Sequence, residues 1–497
     1  MPLRFPIYNR QKNSLINKRS QSALEYMMTY GWAILIIVIV AAVLYSFGIF
    51  SPSSSISATI TGFSGLGSVD AVCLGGTSFT VSLGNSLGYP INITRINLTS
   101  SSSSSSNSPG VQIPPGESRI ITVPGQSLCT SGSRYSVSAV IAYTEPGQTF
   151  PGPYLSRGTA SGTANSPPSS ITSYETLAVT DTQPSATPSP FQQMVNVTSS
   201  DPGWSYISSS PFGQNVVFFS PTGQILDSWL ENYTSTHAIW WVKLLTSISP
   251  GSSQTIYMGF APASTNLFNT VNIGEAPQIP CGSTPTSSCS NYAEYDDGAA
   301  VFPELYNNFA GTTLNGFSGG TYVIDNGITV EDDGDMTSIY QIPDSNTAVT
   351  IFGSFDSGGA VPTGDGYALG YDFSYGAGAT GLMYNLNSNS NIVQCINYGA
   401  NTTNGPSNVV INEIGYYSLY SIYKQDNLTT EFYFDNNFQC GGSWLNGNPY
   451  DNGFSPISSF QFYTQVTSNA YEYWQYIFAR SLPPNTIMPS VSFGSVS

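Results

Sequence analysis

Tyr135-Ser136-Val137-Ser138-Ala139-Val140-Ile141-Ala142-Tyr143 decides the class of fold. Tyr135, Val137, Ala139, Ile141 and Tyr143 fall on one parity, and Ser136, Ser138, Val140 and Ala142 on the other. That is the period of two of a half-buried strand, not the 3.6 of a helix. The same pattern recurs outward from it. Phe79, Val81 and Leu83 alternate with Thr80 and Ser82, and Phe432 and Phe434 alternate with Glu431, Tyr433 and Asp435. Trp474, Tyr476 and Phe478 share a parity, which predicts one common face, and Val491 and Phe493 fit a closing strand. Gly84-Asn85, Pro114-Pro115-Gly116 and Pro146-Gly147 supply turns, and the Ser run 100–106 reads as a loop. The chain is expected to be mostly β.

Its 497 residues exceed one ordinary core and predict two or three domains besides any membrane segment. Charged residues are only 8% of the chain, so long surface helices are disfavoured. Five of the twelve basic residues (Arg4, Arg10, Lys12, Lys18 and Arg19) lie in the first 20 positions, leaving 29 acids to face seven bases. So acidic a body repels phosphate backbones, which excludes nucleic acid as a partner. Few charges of either sign also suit an acidic medium, where carboxylates are protonated.

The six cysteines fall into local pairs, Cys73 with Cys129, Cys281 with Cys289 and Cys395 with Cys440. None has CxxC zinc spacing, so three disulfides in an oxidising compartment are expected.

Residues 26–50 carry no charge and include a continuous apolar run at 33–44, long enough to cross a bilayer. All five early bases precede it, which places the N-terminus in the cytoplasm and the rest outside. Just before the run stands Lys18-Arg19-Ser20-Gln21-Ser22-Ala23-Leu24-Glu25-Tyr26. This stretch resembles the class III signal of archaeal type IV pilins and archaellins. The resemblance implies cleavage between Ser20 and Gln21 by a prepilin-type peptidase. It also implies that Glu25 meets the α-amino group of a neighbouring pilin-like subunit. Without cleavage, the helix is a plain anchor with Glu25 near the headgroups.

Beyond the helix the predicted order is a β-sandwich over 51–157, a Ser/Thr/Pro linker over 158–173, a second β-domain over 174–302 and a jelly roll over 303–497. The first loosely resembles the immunoglobulin-like module that follows class III signals. Pro188-Ser189-Pro190-Phe191-Gln192-Gln193-Met194, Ser228-Trp229-Leu230-Glu231, Ile239-Trp240-Trp241-Val242-Lys243 and Ile256-Tyr257-Met258-Gly259-Phe260 resemble an uncharacterised β-domain of archaeal cell-surface proteins. Tyr295-Asp296-Asp297-Gly298-Ala299-Ala300-Val301-Phe302 and Tyr306-Asn307-Asn308-Phe309-Ala310-Gly311 match its usual continuation, which implies a concanavalin-like jelly roll after it.

Jelly rolls also host glycosidases with paired acids on one inner strand. Glu431 and Asp435 are the nearest approach to such a pair and read as solvent-facing acids. His237 is the only histidine, which rules out a multi-histidine metal site, and it reads as a turn residue before a strand. Asp332, Asp333 and Asp335 form a weak calcium candidate without EF-hand spacing, and no other cofactor is expected. Sequons at Asn92, Asn97, Asn196, Asn232, Asn401 and Asn427 are glycosylation candidates. Tyr371, Tyr375, Tyr384, Asn385 and Asn387 lie in a Gly-rich stretch expected to expose them as sugar-binding loops. The expected function is adhesion, glycan recognition or envelope structure, at the cell membrane or on a surface pilus, with glycans or envelope proteins as partners. The chain is expected not to be an enzyme, with a secreted glycoside hydrolase as the alternative.

Overall fold

The computed structural model describes residues 59–497 except 68, 76–77, 125–127, 282–288, 331–334, 344–345, 357–366, 372–379, 386–391, 398–407, 411–416, 425–428, 444–456, 465–470 and 497. The leader and the 21–50 segment, with Ser20, Gln21 and Glu25, lie outside these residues. Among the described residues no helix is long and apolar enough to cross a membrane.

The described chain is mostly β, and its strands form six sheets. Sheet I joins Thr59–Gly62, Tyr154–Thr163, Arg134–Thr144, Ile91–Thr99, Ser104–Asn107 and Val111–Ile113, and sheet II joins Val69–Leu74, Ser78–Gly84 and Ser118–Pro124. Sheet III joins Ile225–Leu226, Val216–Phe219, Ser253–Phe260, Ser173–Thr180 and Ser490–Val496, and sheet IV joins Phe191–Thr198, His237–Leu244, Ser228–Tyr233 and Ile273–Glu275. Sheet V joins Tyr322–Ile324, Ile328–Val330, Tyr471–Ser481, Thr347–Asp356, Ser418–Lys424, Thr429–Phe434, Asn437–Ser443 and Leu305–Asn307. Sheet VI joins Phe317–Ser318, Asp335–Pro343, Ile457–Thr464, Tyr367–Tyr371, Thr380–Asn385, Ile392–Asn397 and Asn408–Val410. Sheets I and II make the first sandwich. In strand Arg134–Thr144 of sheet I, Tyr135, Val137, Ala139, Ile141 and Tyr143 are buried, as the alternation predicts. They meet Phe79, Val81, Leu83, Ile121 and Val123 of sheet II. Fully burying side chains of this size contributes about 1.5–3 kcal/mol each. The disulfide Cys73–Cys129 closes the sandwich, with its Cα atoms 6.5 Å apart.

Two readings of this region are corrected. The Ser run is only partly a loop, because strand Ser104–Asn107 pairs Ser104 with Thr99 and Asn107 with Ile96. Residues 158–163 are not linker. They complete strand Tyr154–Thr163, which pairs with Arg134–Thr144 along its whole length. Small residues hide that strand from a composition test. Gly158 is needed there, since a Cβ would collide with the Phe63 ring.

Sheets III and IV form the second sandwich, with Leu177, Phe218, Ile256 and Met258 of sheet III packed on Val195, Leu230, Trp240 and Val242 of sheet IV. The other face of sheet III meets sheet II through hydroxyls. Ser78 Oγ lies 2.7 Å from Tyr257 Oη, and Thr122 Oγ1 lies 2.8 Å from Thr255 Oγ1. The closing strand Ser490–Val496 exists, but it joins Ser173–Thr180 of sheet III. The end of the chain therefore completes the 174–302 domain and not the jelly roll.

Sheets V and VI face each other around Val349, Ile351, Tyr420, Ile422, Phe432 and Trp474 of sheet V and Phe317, Phe460 and Phe462 of sheet VI. Here the common face expected for Trp474, Tyr476 and Phe478 is corrected. Trp474 enters this core, whereas Tyr476 and Phe478 point to the opposite side of sheet V. A bulge is responsible: the register of Thr347–Asp356 against Tyr471–Ser481 shifts between Phe352 and Gly353. Gly353 permits it, because a Cβ there would collide with the Tyr473 carbonyl oxygen.

Candidate functional site

The residues that decide which surfaces are free lie in a seam between sheets IV and V. Trp229 and Trp241 stand directly opposite each other on neighbouring strands of sheet IV. Their indoles pack with Phe302, Tyr476 and Phe478, and the Phe302 and Phe478 rings stack with centroids 4.1 Å apart. Trp241 Nε1 donates to Glu231 Oε2 at 2.8 Å, and Tyr476 Oη donates to Glu231 Oε1 at 3.4 Å. Gln278 Nε2 donates to the Glu231 main-chain oxygen at 2.5 Å. Arg480 lies over the Trp241 ring at 5.1 Å and over the Tyr423 ring at 5.0 Å.

Asp296 is the second anchor. It accepts from Trp229 Nε1 at 2.8 Å, from Asn308 Nδ2 at 2.7 Å, from the Gly298 amide at 2.9 Å and from the Tyr306 hydroxyl.

Burial sets the protonation of these acids. It pushes the Glu231 carboxyl up to about 7, against the opposing pull of Trp241, Tyr476 and Arg480. Glu275 also rises to about 7, by burial and then by the nearby Asp296 and Glu294. Asp297 rises to about 9, by burial and then by Asp296 and Asp227, and neither of its carboxyl oxygens has a hydrogen-bond partner. Glu231 is only 4% exposed and Asp297 only 2%. Glu231, through Tyr476 and Trp241, and Asp296, through Tyr306 and Trp229, fasten sheet V onto sheet IV.

Strands Thr347–Asp356, Ser418–Lys424 and Tyr471–Ser481 of sheet V are thereby covered on both faces. Sheet VI enters the core through Phe317, Ile342, Phe460 and Phe462. Backbone register sets the rows that alternate with Phe460 and Phe462. Tyr463 is opposite Asp335 on one side and Ala368 on the other, and the row continues through Met383, Gln394 and Asn408. The next row runs from Thr337 through Gln461, Gly370 and Gly381 to Ile396. Gly370 and Gly381 are thus paired with each other in mid-sheet.

The sequence-predicted sugar residues fall elsewhere. Tyr371, Tyr384 and Asn385 are in strands Tyr367–Tyr371 and Thr380–Asn385, not in loops. Tyr371 is opposite Phe460, and Tyr384 is opposite Tyr367. Tyr375, Asn387, Asp332, Asp333, Asn401 and Asn427 lie outside the described residues. Asp335 begins strand Asp335–Pro343, and among the described residues no group of three or more metal-ligating side chains occurs.

Glu431 and Asp435 do not share a strand. Thr429–Phe434 ends before Asp435, which turns at φ 45° and accepts from the Leu419 amide at 2.8 Å, while Glu431 accepts from the Tyr433 hydroxyl at 2.8 Å. His237 opens strand His237–Leu244, with Nδ1 2.9 Å from Thr234 Oγ1. Asn196 and Asn232 are exposed, and both are opposite Ile239, whereas Asn92 and Asn97 are half-buried in strand Ile91–Thr99. The Cys281–Cys289 disulfide is present, while Cys395 and Cys440 stand in sheets VI and V with side chains outside the described part.

The seam is not legible in the sequence. Trp229, Glu231, Trp241, Asp296 and Tyr306 all belong to the motif blocks of the 174–302 domain and its continuation, but nothing local shows that they meet Tyr476. The outer face of sheet VI does have a signal, the Phe460-Gln461-Phe462-Tyr463 alternation.

No family model matches the chain. A curated relative, "Uncharacterized protein 562" of Sulfolobus islandicus rod-shaped virus 1, is 27% identical over 366 residues, 64% of this chain and 58% of that one. The chain thus spans less than two thirds of that relative's length. Among solved structures, a laminarinase from Flavobacterium sp. UMI-01 is 11% identical and aligns with 36% of this chain and 99% of its own, at a TM-score of 0.28. The endo-β-1,3-glucanase from Pyrococcus furiosus is 10% identical over 36% of this chain and 93% of its own, at 0.27. A glycosyl hydrolase family protein from Mycobacterium fortuitum is 11% identical over 35% and 98%, also at 0.27. These neighbours overturn the expectation that the chain is not an enzyme. At such TM-scores the likeness assigns it no reaction either.

Proposed function

We propose that this is an exported protein, held at the cell surface by its apolar 21–50 segment, whose C-terminal sandwich engages a carbohydrate polymer across the outer face of sheet VI. The observation that carries the reading is the coverage of sheet V. With sheet IV on one side and sheet VI on the other, the middle strands of sheet V are covered on both faces, which favours sheet VI as the binding face. By register, Tyr463, Asp335, Gln394 and Asn408 share one row with Ala368 and Met383, and Gly370 and Gly381 pair in the next. Sugar rings stack on aromatic faces and their hydroxyls pair with amides and carboxylates. Two disulfides in the described part agree with an oxidising exterior.

The experiment is a panel of purified polysaccharides incubated with the full chain and read twice, as binding by co-sedimentation and as release of reducing ends. Binding by at least one polymer is expected, and release of reducing ends would add hydrolysis to recognition. If no polymer binds and none is cut, the carbohydrate reading falls.

A further inference from the structure

The 174–302 domain carries a second aromatic surface. The short helical turn Pro202–Tyr206 and the loop after it hold Trp204, Tyr206 and Phe212 over one end of the core between sheets III and IV, and Tyr233 ends the neighbouring strand Ser228–Tyr233. Tyr206 stacks one ring face on buried Phe260, with centroids 5.4 Å apart, yet remains 44% exposed. Tyr233 lies parallel to Phe212, with centroids 4.2 Å apart and planes 6° apart, and is 38% exposed. Each tyrosine therefore has one face on an aromatic neighbour and an open surface toward water.

The support beneath them is rigid. Asn215, fully buried, donates from Nδ2 to the Tyr206 carbonyl at 2.9 Å and the Ala261 carbonyl at 2.7 Å, and accepts from the Ser208 amide at 2.7 Å. From below, Glu175 Oε2 accepts from the Gly203 amide at 3.1 Å, and a Cβ on Gly203 would collide with that oxygen. Rings held this way lose little freedom on binding.

The surroundings select the ligand. Residues 202–215 and 232–236 contain no charged side chain, and Ser205, Ser209, Ser210, Thr234, Ser235 and Thr236 are exposed around the rings. Ionic ligands find no counter-charge in those two segments, whereas an uncharged sugar finds ring faces for its C–H groups and hydroxyls for its own.

We infer that Tyr206 and Tyr233 form a platform for a neutral glycan, separate from the outer face of sheet VI. The test is affinity electrophoresis of the full chain, in a detergent without a sugar headgroup, through gels containing laminarin, dextran, mannan or anionic polygalacturonate. Retardation by at least one neutral polymer is expected. It should weaken about tenfold in the Tyr206→Ala/Tyr233→Ala double variant and persist in the Tyr206→Phe/Tyr233→Phe variant, which keeps the rings. It should also persist in Phe150→Ser, which removes an exposed ring that belongs to neither surface. Nitration of the wild-type chain gives a reading that does not depend on how the variants fold, because the bound polymer should shield Tyr206 and Tyr233. The inference is overturned if no neutral polymer retards the chain, if only polygalacturonate does, if the alanine pair binds like wild type, or if the two tyrosines are not shielded.

Discussion

Tyr476 donates its phenolic hydrogen to Glu231 across 245 residues of sequence, in a place where both side chains are enclosed. This contact ties the last long strand of sheet V to a middle strand of sheet IV, within the aromatic seam that covers that strand. Removing the donor in Tyr476→Phe should cost about 1 kcal/mol. Glu231→Leu should cost about 1–3 kcal/mol, because the buried Trp241 Nε1–H loses its acceptor. Glu231→Gln keeps an acceptor and should lie close to wild type. Chemical denaturation of the three variants checks the ranking, and a Glu231→Leu chain as stable as Glu231→Gln would contradict it.

Stability should fall as pH rises. Glu231 and Glu275 move from 4.5 to about 7, and Asp297 from 3.8 to about 9, so between these values the folded chain holds protons that the unfolded chain has released. Stability is then full below about pH 4, declines through pH 7 and keeps a smaller decline toward pH 9 from Asp297. Thermal unfolding at constant ionic strength should give a higher midpoint at pH 4 than at pH 8, and Glu231→Gln should flatten the slope. A midpoint that rises over that range would refute the protonation scheme.

Gly353→Ala should destabilise the C-terminal sandwich by about 1–3 kcal/mol, since its Cβ would meet backbone at the bulge that sends Trp474 and Tyr476 to opposite sides. A Cβ on Gly88 would have nothing within 4 Å, so Gly88→Ala should stay within about 0.5 kcal/mol of wild type. Tryptophan fluorescence during denaturation distinguishes the two, and equal midpoints would remove the steric role given to Gly353.

The disulfides should differ in weight. Cys73–Cys129 spans 56 residues and Cys281–Cys289 only 8, so the longer loop restricts the unfolded chain more. Replacing the first pair with serine should cost about 2–5 kcal/mol and replacing the second less. Peptide mapping without reductant, followed by denaturation of each variant, gives the comparison, and a larger loss from the second pair would run against it.

Much of the fold is legible in the sequence because alternation is a local signal. Strand Arg134–Thr144 follows its pattern residue by residue, and Phe460 and Phe462 turn inward as their spacing suggests. Three features are not legible, each for a physical reason. Tyr154–Thr163 is a strand of small and hydroxylated residues, ordered by its long-range pairing and not by its composition. The bulge at Gly353 reverses the parity of Trp474 relative to Tyr476, which no count along Tyr471–Ser481 could reveal. The seam and the pairing of Ser490–Val496 with Ser173–Thr180 join residues hundreds of positions apart. Tyr371, Tyr384 and Asn385, expected in loops, are strand residues for a related reason, since pairing and not composition orders their Gly-rich surroundings.

The claim that sheet VI is the carbohydrate-engaging face is tested most directly by amide hydrogen exchange on the full chain with and without a bound polysaccharide. The account predicts slower exchange in Tyr367–Tyr371, Thr380–Asn385 and Ile457–Thr464 when the polymer is bound, and loss of that protection in Gly370→Trp, which puts a large side chain in the middle of the sheet. Protection confined to other strands, or unchanged binding by Gly370→Trp, would contradict it.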